Sequence, residues 1–408
     1  MHKLKYIDLF AGCGGLSEGF EQSGLYECIG AVEWEKAPCE TLIHRLKTKW
    51  KCHDAENRVL RFDIQKTDQL LHGWDKDEAY GSGVGLNRLA HQYGQPDLII
   101  GGPPCQAYSM AGRVRDEHGM HRDYRNFLFE AYVRVVKHFK PQLFVFENVP
   151  GILSAAPGGV SIVERIRQAF KEAGYDIVDD LRGLALLDLK DYAVPQDRKR
   201  VILIGIRRAR AANNSSELLK EFYSSILPRY KGAKSRTVRS AIADLPAFYP
   251  AQKDYRDGGR RFSHMPASTS IQGHLTRYHS RRDIKIFHDL ALDIQSGKNF
   301  FSIERIKELY TQRTVKVSNV HKYYVLRWDS SSNTIPAHLY KDGLRHIHPD
   351  PDQSRTITPR EAAKLQSFAN DFHFFGSMGD QYRMIGNAVP PEFAKRLACA
   401  IGDLIKKV

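Results

Sequence analysis

The chain has 408 residues, 42% of them hydrophobic and 26% charged, a composition typical of soluble globular proteins and long enough for two domains. It has no run of eighteen apolar residues, so we expect no membrane-spanning helix. Its six cysteines lack CxxC spacing, which excludes a zinc framework and a secreted disulfide scaffold. The net charge is +14, and residues 230–350, with 21 lysines and arginines against 11 acidic residues, carry +10 of it. A basic excess concentrated in one segment favours a polyanion partner over a generally basic surface.

The amino-terminal stretch predicts the opening of a nucleotide-binding βαβ unit. Lys5–Phe10 is a strand-like apolar run, and a glycine-rich turn over 11–15 then leads into a helix. Ser17 stands where the dinucleotide fingerprint has its third glycine, so the turn suits an adenosine ligand without a pyrophosphate. The strand begins so close to Met1 that it leaves no room for a signal peptide, and we expect the protein to stay in the compartment where it is made.

Two further strand-like runs are followed by acidic residues. The run over 29–32 ends in Glu33 and Trp34, and the run over 59–64 contains Asp63. A carboxylate at such a strand end can bind ribose hydroxyls, and Trp34 could stack on an adenine. Either acid alone could be a solvated loop residue. The pair, following a glycine turn, favours S-adenosylmethionine over a phosphorylated cofactor.

The stretch GGPPCQAYS at 101–109 predicts a nucleophile. It follows the apolar run 97–100, and two prolines hold the backbone just before Cys105, beyond the end of a strand. Open α/β sheets bind their ligands at this edge. A small buried core residue is the alternative, since free cysteines are usually buried. A core cysteine does not need two glycines and two prolines before it, so we favour a catalytic thiol.

Charged residues flank two later predicted strands. The run 142–146 ends in Glu147, which could hold or donate a proton, or could simply cap the next turn. Arg198 and Arg200 lie two residues apart at the start of the run 201–206, so they would share a face and could clamp a carbonyl or phosphate. The alternation of strands and helices predicts a doubly wound, mostly parallel sheet.

The regular alternation is lost at about residue 210. We predict one domain over 1–210, completed by 375–408, and a second, smaller and irregular domain over 211–374. Near its end, Thr358 to Glu361 form a capping box with proline at the first helical position, which predicts a helix reaching Phe368.

The chain resembles the DNA cytosine-5 methyltransferases of bacterial restriction–modification systems. The resemblance lies in motifs that occur in the order of that family and cover nearly the whole chain apart from 210–350. They are DLFAGCGGLSEGF (8–20), Glu33-Trp34, Asp63-Ile64, GGPPCQAYS (101–109), ENV (147–149), QDRKR (196–200), RTITPREAAKLQSF (355–368) and GNAVPP (386–391). Tyr108 replaces the phenylalanine more usual in the PCQ loop, a mild departure.

The resemblance implies roles for four catalytic residues. Cys105 would attack carbon 6 of cytosine and make carbon 5 nucleophilic. Glu147 would hydrogen-bond or protonate the ring nitrogen, Arg200 would contact the base carbonyl, and Arg198 would support the site or bind a phosphate. Since a base inside a duplex cannot present carbon 6 to a thiolate, base flipping is implied.

The resemblance also implies a Rossmann-like catalytic domain with S-adenosyl-L-methionine as cofactor, S-adenosyl-L-homocysteine as product and no metal. The residues matching positions around this cofactor are Phe10, Ala11, Gly12, Gly14, Gly15, Leu16, Glu33, Trp34, Asp63, Ile64, Pro103, Leu128, Asn387 and Ala388. The segment 211–374 would be a target recognition domain that reads the major groove of double-stranded DNA. We expect a monomer in a prokaryotic cytoplasm, with a restriction endonuclease for the same site as a candidate partner.

Three other functions compete with this interpretation. An RNA cytosine methyltransferase would share the fold, but the basic insert favours duplex recognition. A zinc deaminase also flips cytosine, but no second thiol follows Cys105 in the PCxxC spacing. A DNA-binding regulator without activity would not need Cys105, Glu147 and Arg200 together.

Overall fold

The computed structural model describes residues 3–104, 128–156, 159–211, 214–265, 270–298, 300–315, 317, 322–341 and 343–408. The predicted nucleophile, Cys105, lies outside these residues. The chain divides into two compact units. The first comprises Met1–Ala193, Arg198–Ala233 and Ala388–Val408, and the second comprises Val194–Asp197 and Lys234–Asn387.

The secondary structure of the described residues is numbered here along the chain. The strands are β1 (Leu4–Leu9), β2 (Tyr26–Glu33), β3 (Val59–Arg61), β4 (Trp74–Asp77), β5 (Gly81–Gly83), β6 (Leu98–Gly101), β7 (Leu143–Asn148), β8 (Tyr175–Ile177), β9 (Leu186–Asp188), β10 (Lys199–Arg207), β11 (Pro250–Asp257) and β12 (Arg260–His264). The α-helices are α1 (Gly15–Gln22), α2 (Lys36–Thr48), α3 (Ala55–Arg58), α4 (Thr67–His72), α5 (Gly85–Tyr93), α6 (Leu128–Phe139), α7 (Ile162–Glu172), α8 (Ser215–Glu221), α9 (Val238–Ile242), α10 (Arg281–Ser296), α11 (Ile303–Thr314), α12 (Pro359–Leu365), α13 (Met378–Asn387) and α14 (Pro391–Ile405).

A sheet of eight strands, counted over the described residues, forms the centre of the first unit. Its order is β3-β2-β1-β6-β7-β10-β8, with β9 also paired to β10. The five strands from β3 to β7 in this order run parallel, whereas β10 is antiparallel to its three neighbours. This confirms the predicted mostly parallel α/β sheet. The carboxyl ends of the five parallel strands therefore lie along one edge.

The middle of the sheet is buried on both faces, as parallel strands require. All residues of β6 and β7 are buried, and their runs of leucine, isoleucine, valine and phenylalanine supply the apolar surface. Tyr132 of α6 is fully buried, and its hydroxyl lies 2.7 Å from the Val145 carbonyl oxygen and 3.1 Å from that of Ile99. The side chain thus joins the helix to both central strands.

The two units end at positions different from the predicted domain boundaries. The segment just after residue 211 belongs to the first unit, because the Tyr223 hydroxyl donates to the Ile202 carbonyl of β10 at 2.8 Å and the Tyr230 hydroxyl donates to Asp403 at 2.7 Å. Helix α13 belongs to the second unit. Gly386 allows its backbone to approach Pro336 so closely that an added Cβ would lie 2.4 Å from the Pro336 carbonyl carbon.

The second unit contains the hairpin β11–β12, helices α9 to α13 and a small apolar core. That core includes Phe287, Leu290, Tyr323, Val325 and Ile347. Of the described helices, none is apolar over a length sufficient to cross a membrane.

The predicted capping box at the start of α12 is confirmed. Thr358 accepts from the backbone of Glu361, and the Glu361 side chain accepts from the Thr358 amide at 2.7 Å. Glu361 also receives two bonds from Arg355, at 2.6 and 2.7 Å, with both side chains 1% exposed. The prediction that this helix reaches Phe368 is wrong: it ends at Leu365, and Ser367 adopts a left-handed φ of 65° that cannot continue a helix.

The buried Arg355–Glu361 pair generates a stability prediction. We expect Glu361→Gln to lower the free energy of unfolding by about 3–5 kcal/mol, because it leaves the Arg355 charge buried without its counterion. Urea unfolding followed by far-UV circular dichroism measures the effect. Asp244→Asn is the matched control, since Asp244 pairs with Lys364 but is 61% exposed, and we expect it to cost less than about 1 kcal/mol. Equal losses in the two variants would contradict the prediction.

Candidate active site

The carboxyl ends of β6 and β7 bring a glycine against a carboxylate. In the parallel pairing of these strands Gly101 is opposite Phe146, so the next residues, Gly102 and Glu147, are neighbours. A Cβ added at Gly102 would lie 2.7 Å from Glu147 Oε2. The glycine before the two prolines therefore provides the space that the Glu147 carboxylate occupies.

Arg200 is the ionic partner of Glu147. The antiparallel pairing of β7 and β10 sets Ile202 opposite Glu147, and Arg200 Nε reaches Glu147 Oε1 at 2.8 Å. Each side chain is only 12% exposed. Burial lowers the pKa of Arg200 and the Glu147 carboxylate opposes this, while a guanidinium starts from so high a pKa that it stays charged. The pair presents a carboxylate and a cation side by side at the sheet edge.

Arg198 is the residue directly before β10. It is 1% exposed, and its Nη2 donates to the Ala388 carbonyl at 3.1 Å within the first unit. Burial and the nearby Arg200 charge lower the pKa of Arg198. The predicted contact of Arg198 with substrate stays a prediction; its observed contact is with the backbone.

Asn148 fixes the chain that leads to Cys105. It is 4% exposed, its Nδ2 donates to the Pro103 carbonyl at 3.2 Å, and its Oδ1 accepts from the Val149 amide at 2.8 Å. Asn148 was not among the site residues predicted from the sequence, although its place directly after Glu147 in the ENV motif was a signal.

Glu33 and the glycine turn meet at the end of β2. Glu33 Oε2 accepts from the Gly12 amide at 2.9 Å, and Oε1 accepts from the Trp34 and Glu35 amides, also at 2.9 Å. Burial raises the pKa of Glu33 to about 7 even though these three amides favour the carboxylate. The Trp34 ring beside it is 44% exposed.

Three residues of the glycine turn have left-handed backbone conformations, which few residue types adopt readily. Phe10, Gly12 and Gly14 have φ values of 59°, 55° and 88°. A Cβ at Gly15 would lie 2.3 Å from the Val389 carbonyl oxygen, so α1 starts in close contact with the chain that follows Ala388.

The remaining predicted cofactor-binding residues are found in several places. Ala11, Leu16, Ile64 and Leu128 are all at most 8% exposed. Asp63 follows β3, and its Oδ1 accepts from the Gln65 amide at 2.9 Å.

Two of the remaining predicted positions lie near the unit boundary. Asn387 is the last residue of α13 and belongs to the second unit, whereas Ala388 belongs to the first. Within the described ranges, no three histidine, cysteine, aspartate or glutamate side chains are grouped so that they could hold a metal ion.

Asp8 is a buried acid that was not among the site residues predicted from the sequence. It is 0% exposed in β1, and its Oδ2 accepts from the Ser17 hydroxyl at 2.6 Å. Oδ1 has no hydrogen bond to any of the described residues. Burial raises the pKa of Asp8 to about 7, with a smaller contribution from the Glu33 charge.

Comparison with known proteins identifies a family. Residues 4–74 and 82–403 match the model of the C-5 cytosine-specific DNA methylases. The chain is 33% identical over 456 aligned positions to Type II methyltransferase M.Bpa9945I of Bacillus paralicheniformis, covering 98% of each. It is 30% identical to Type II methyltransferase M.DdeI of Desulfomicrobium norvegicum, covering 97% of this chain and 88% of that one.

A solved structure shows the same fold. A candidate DNA modification methyltransferase encoded within an E. coli prophage superimposes with a TM-score of 0.64 at 23% identity, covering 99% of this chain and 100% of that one.

The raised pKa of Asp8 generates a prediction of pH-dependent stability. Between its ordinary pKa and about 7 the folded chain keeps a proton that the unfolded chain loses, so ionisation of the unfolded state lowers stability as pH rises through this range. We expect Asp8→Asn to remove this loss. The gain in unfolding free energy relative to wild type should grow from pH 4 to pH 8, by up to about 4 kcal/mol.

Urea unfolding at several pH values measures this gain. Asp68→Asn is the control, because Asp68 is exposed in α4 of the same unit. A difference between wild type and Asp8→Asn that does not change with pH would contradict the assignment.

Proposed function

The chain belongs to the C-5 cytosine-specific DNA methylase family, and we propose that it transfers a methyl group from S-adenosylmethionine to carbon 5 of a cytosine in a specific double-stranded DNA sequence. The family membership makes it a DNA cytosine-5 methyltransferase akin to those of Type II restriction–modification systems. The observation that supports the finer proposal is the buried Glu147–Arg200 pair against Gly102, at the strand end that leads to Cys105.

Cys105 supplies the nucleophile in this proposal. A thiol with a pKa of about 8.5 is only a few per cent thiolate at neutral pH, so its surroundings must favour the thiolate. The Sγ–C6 bond forms as the C5–C6 double bond opens, which leaves carbon 5 electron-rich. The cofactor, when bound, supplies an electrophilic methyl group to carbon 5. Loss of the carbon-5 proton to a base then restores the double bond and expels the Cys105 thiolate.

The Glu147–Arg200 pair offsets the charge that develops on the base. Attack at carbon 6 drives electron density toward the ring nitrogen and the ring carbonyl. Glu147 would hydrogen-bond or protonate the nitrogen, and Arg200 would donate to the carbonyl oxygen. A positioned, water-poor pair does this with little reorganisation, and each partner is 12% exposed.

The residues at the ends of β1 and β2 fit an adenosine cofactor. Three of the roughly four acceptor sites of the Glu33 carboxylate bind backbone amides, which leaves about one for a ribose hydroxyl. Trp34 offers an exposed ring face for an adenine. Above Gly12 nothing lies within 4 Å of an added Cβ, so a ligand can approach the turn there. We therefore propose that these residues hold S-adenosylmethionine.

The substrate proposed is duplex DNA with the target base flipped out. Flipping costs a few kcal/mol of unstacking and gives the nucleophile access to carbon 6. The basic segment 230–350 lies mostly in the second unit. Its binding to the phosphate backbone would offset the free energy of unstacking.

Replacement of the nucleophile tests the proposal directly. We expect Cys105→Ser to abolish methylation while leaving duplex binding intact, since serine lacks a comparably acidic nucleophilic group. Bisulfite sequencing of plasmid DNA from cells expressing wild type should show protected cytosines within one short recurrent sequence, and the variant should show none. Wild-type turnover by Cys105→Ser would contradict the covalent mechanism.

The same cells can be used to distinguish a DNA cytosine methyltransferase from an RNA cytosine methyltransferase. If soluble wild-type protein leaves all plasmid cytosines unprotected, mass spectrometry of the cellular RNA decides between an RNA methyltransferase and an inactive binder.

The close approach of Gly102 to Glu147 generates a second test. We expect Gly102→Ala to lower kcat about 10- to 1000-fold, with a smaller change in KM for DNA. The new methyl group would push the Glu147 carboxylate away from Arg200, and so away from the position where it stabilises charge on the base. Gly379→Ala is the control, since the nearest atom to its added Cβ is a serine hydroxyl oxygen at an ordinary 3.5 Å. Steady-state methyl-transfer kinetics measure both variants. Wild-type kcat in Gly102→Ala would show that the position of Glu147 does not limit the reaction.

A further inference from the structure

The hairpin β11–β12 projects a two-residue glycine turn from the second unit. Gly258 and Gly259 have φ values of 52° and 77°, the combination that tight β-hairpin turns require. Nothing lies within 4 Å of a Cβ added at either glycine, and residues 256–261 are all exposed. The tip is therefore an exposed two-stranded ribbon, with Arg260 Nη2 3.3 Å from the Met378 sulfur of α13.

Two arginines stand directly opposite each other on this ribbon. The pairing sets Tyr255 opposite Phe262 and Arg256 opposite Arg261. The two rings stack at 5.4 Å with an interplanar angle of 17° on one face, so the two arginines share the other. Like charges opposite each other destabilise a hairpin. An anion placed between them would reverse that effect.

Arg261 is held in one direction, whereas Arg256 is not. Arg261 donates to Asp254 at 2.8 Å, and its guanidinium lies 4.4 Å from the centre of the Tyr278 ring, yet its side chain is 55% exposed. Asp254 is itself fixed by the Tyr278 hydroxyl at 3.0 Å and by Arg281 at 2.9 Å. The Arg256 side chain is exposed and has no hydrogen bond or ion pair to the described residues, although its backbone pairs with β12.

We propose that this hairpin is the part of the second unit that enters the major groove of the target DNA, with Arg261 reading a guanine and Arg256 binding a backbone phosphate. The inference rests on the proposed function. The major groove admits a two-stranded ribbon, and a guanidinium fork matches the O6 and N7 acceptors of guanine. A guanidinium already fixed by a carboxylate and a ring loses little conformational freedom on binding, which suits base reading. An unrestrained arginine suits the sequence-independent phosphate contact.

Binding to two duplexes separates the two roles. One duplex contains the sequence that bisulfite sequencing identifies, the other has it scrambled, and fluorescence anisotropy gives Kd for each across a range of KCl concentrations. We expect Arg261→Ala to weaken binding to the specific duplex about 10- to 100-fold and to change the Kd for the scrambled duplex little. We expect Arg256→Ala to weaken both duplexes alike and to reduce the slope of log Kd against log salt by about 0.9.

Two further variants keep the test decisive. Arg261→Lys retains the charge but lacks the fork, so it should lose preference for the specific duplex while keeping its affinity for the scrambled one. Arg229→Ala is the matched control, because Arg229 is 61% exposed, pairs with Asp403 in the first unit and lies outside the basic segment 230–350, so the variant should bind both duplexes as wild type does. The proposal is overturned if Arg261→Ala keeps its specific preference, or if Arg229→Ala shows the same losses. A wild-type protein that methylates no DNA would instead overturn the proposed function.

Discussion

The parallel pairing of β6 with β7 is the constraint on which the candidate active site depends. It sets Gly101 opposite Phe146 and thereby brings Gly102 to within contact of the Glu147 carboxylate. A carboxylate that is 12% exposed is costly to bury alone, and Arg200 from the antiparallel β10 supplies its counterion. A shift of one residue in either pairing would turn one of these side chains to the opposite face of the sheet. The register therefore specifies the ion pair.

The same sheet edge separates the two halves of the proposed reaction. Three strand spacings, about 14 Å, lie between the strand that carries Glu33 and the strand that carries Glu147, because the order is β2-β1-β6-β7. The amide-bound carboxylate with its exposed tryptophan therefore lies at one half of the edge, and the carboxylate–guanidinium pair lies at the other. A methyl donor and a base can each occupy one half without competing for the same side chains.

The sequence predicted the strands whose ends carry the candidate site residues. Apolar runs bounded by glycine or acidic residues identified the strands before Glu33, Cys105 and Glu147, because a buried parallel strand is a short local pattern. It could not predict which group each arginine contacts. Arg198, directly before β10, donates to the Ala388 carbonyl, whereas Arg200 in the strand pairs with Glu147. The opposition of Arg256 and Arg261 likewise appears only once the hairpin register is known.

Asp8 is a buried acid whose hydrogen bond joins two elements beside the candidate site. Its bond to the Ser17 hydroxyl joins the end of β1 to the first turn of α1, and the glycine turn runs between these two points. Fixing both ends of a turn restricts the directions that its amides can take. The Gly12 amide then points at Glu33, which in turn orders the Trp34 and Glu35 amides after β2. The buried Asp8–Ser17 hydrogen bond is thus the first of a chain of contacts that extends from the core of the sheet to the exposed indole.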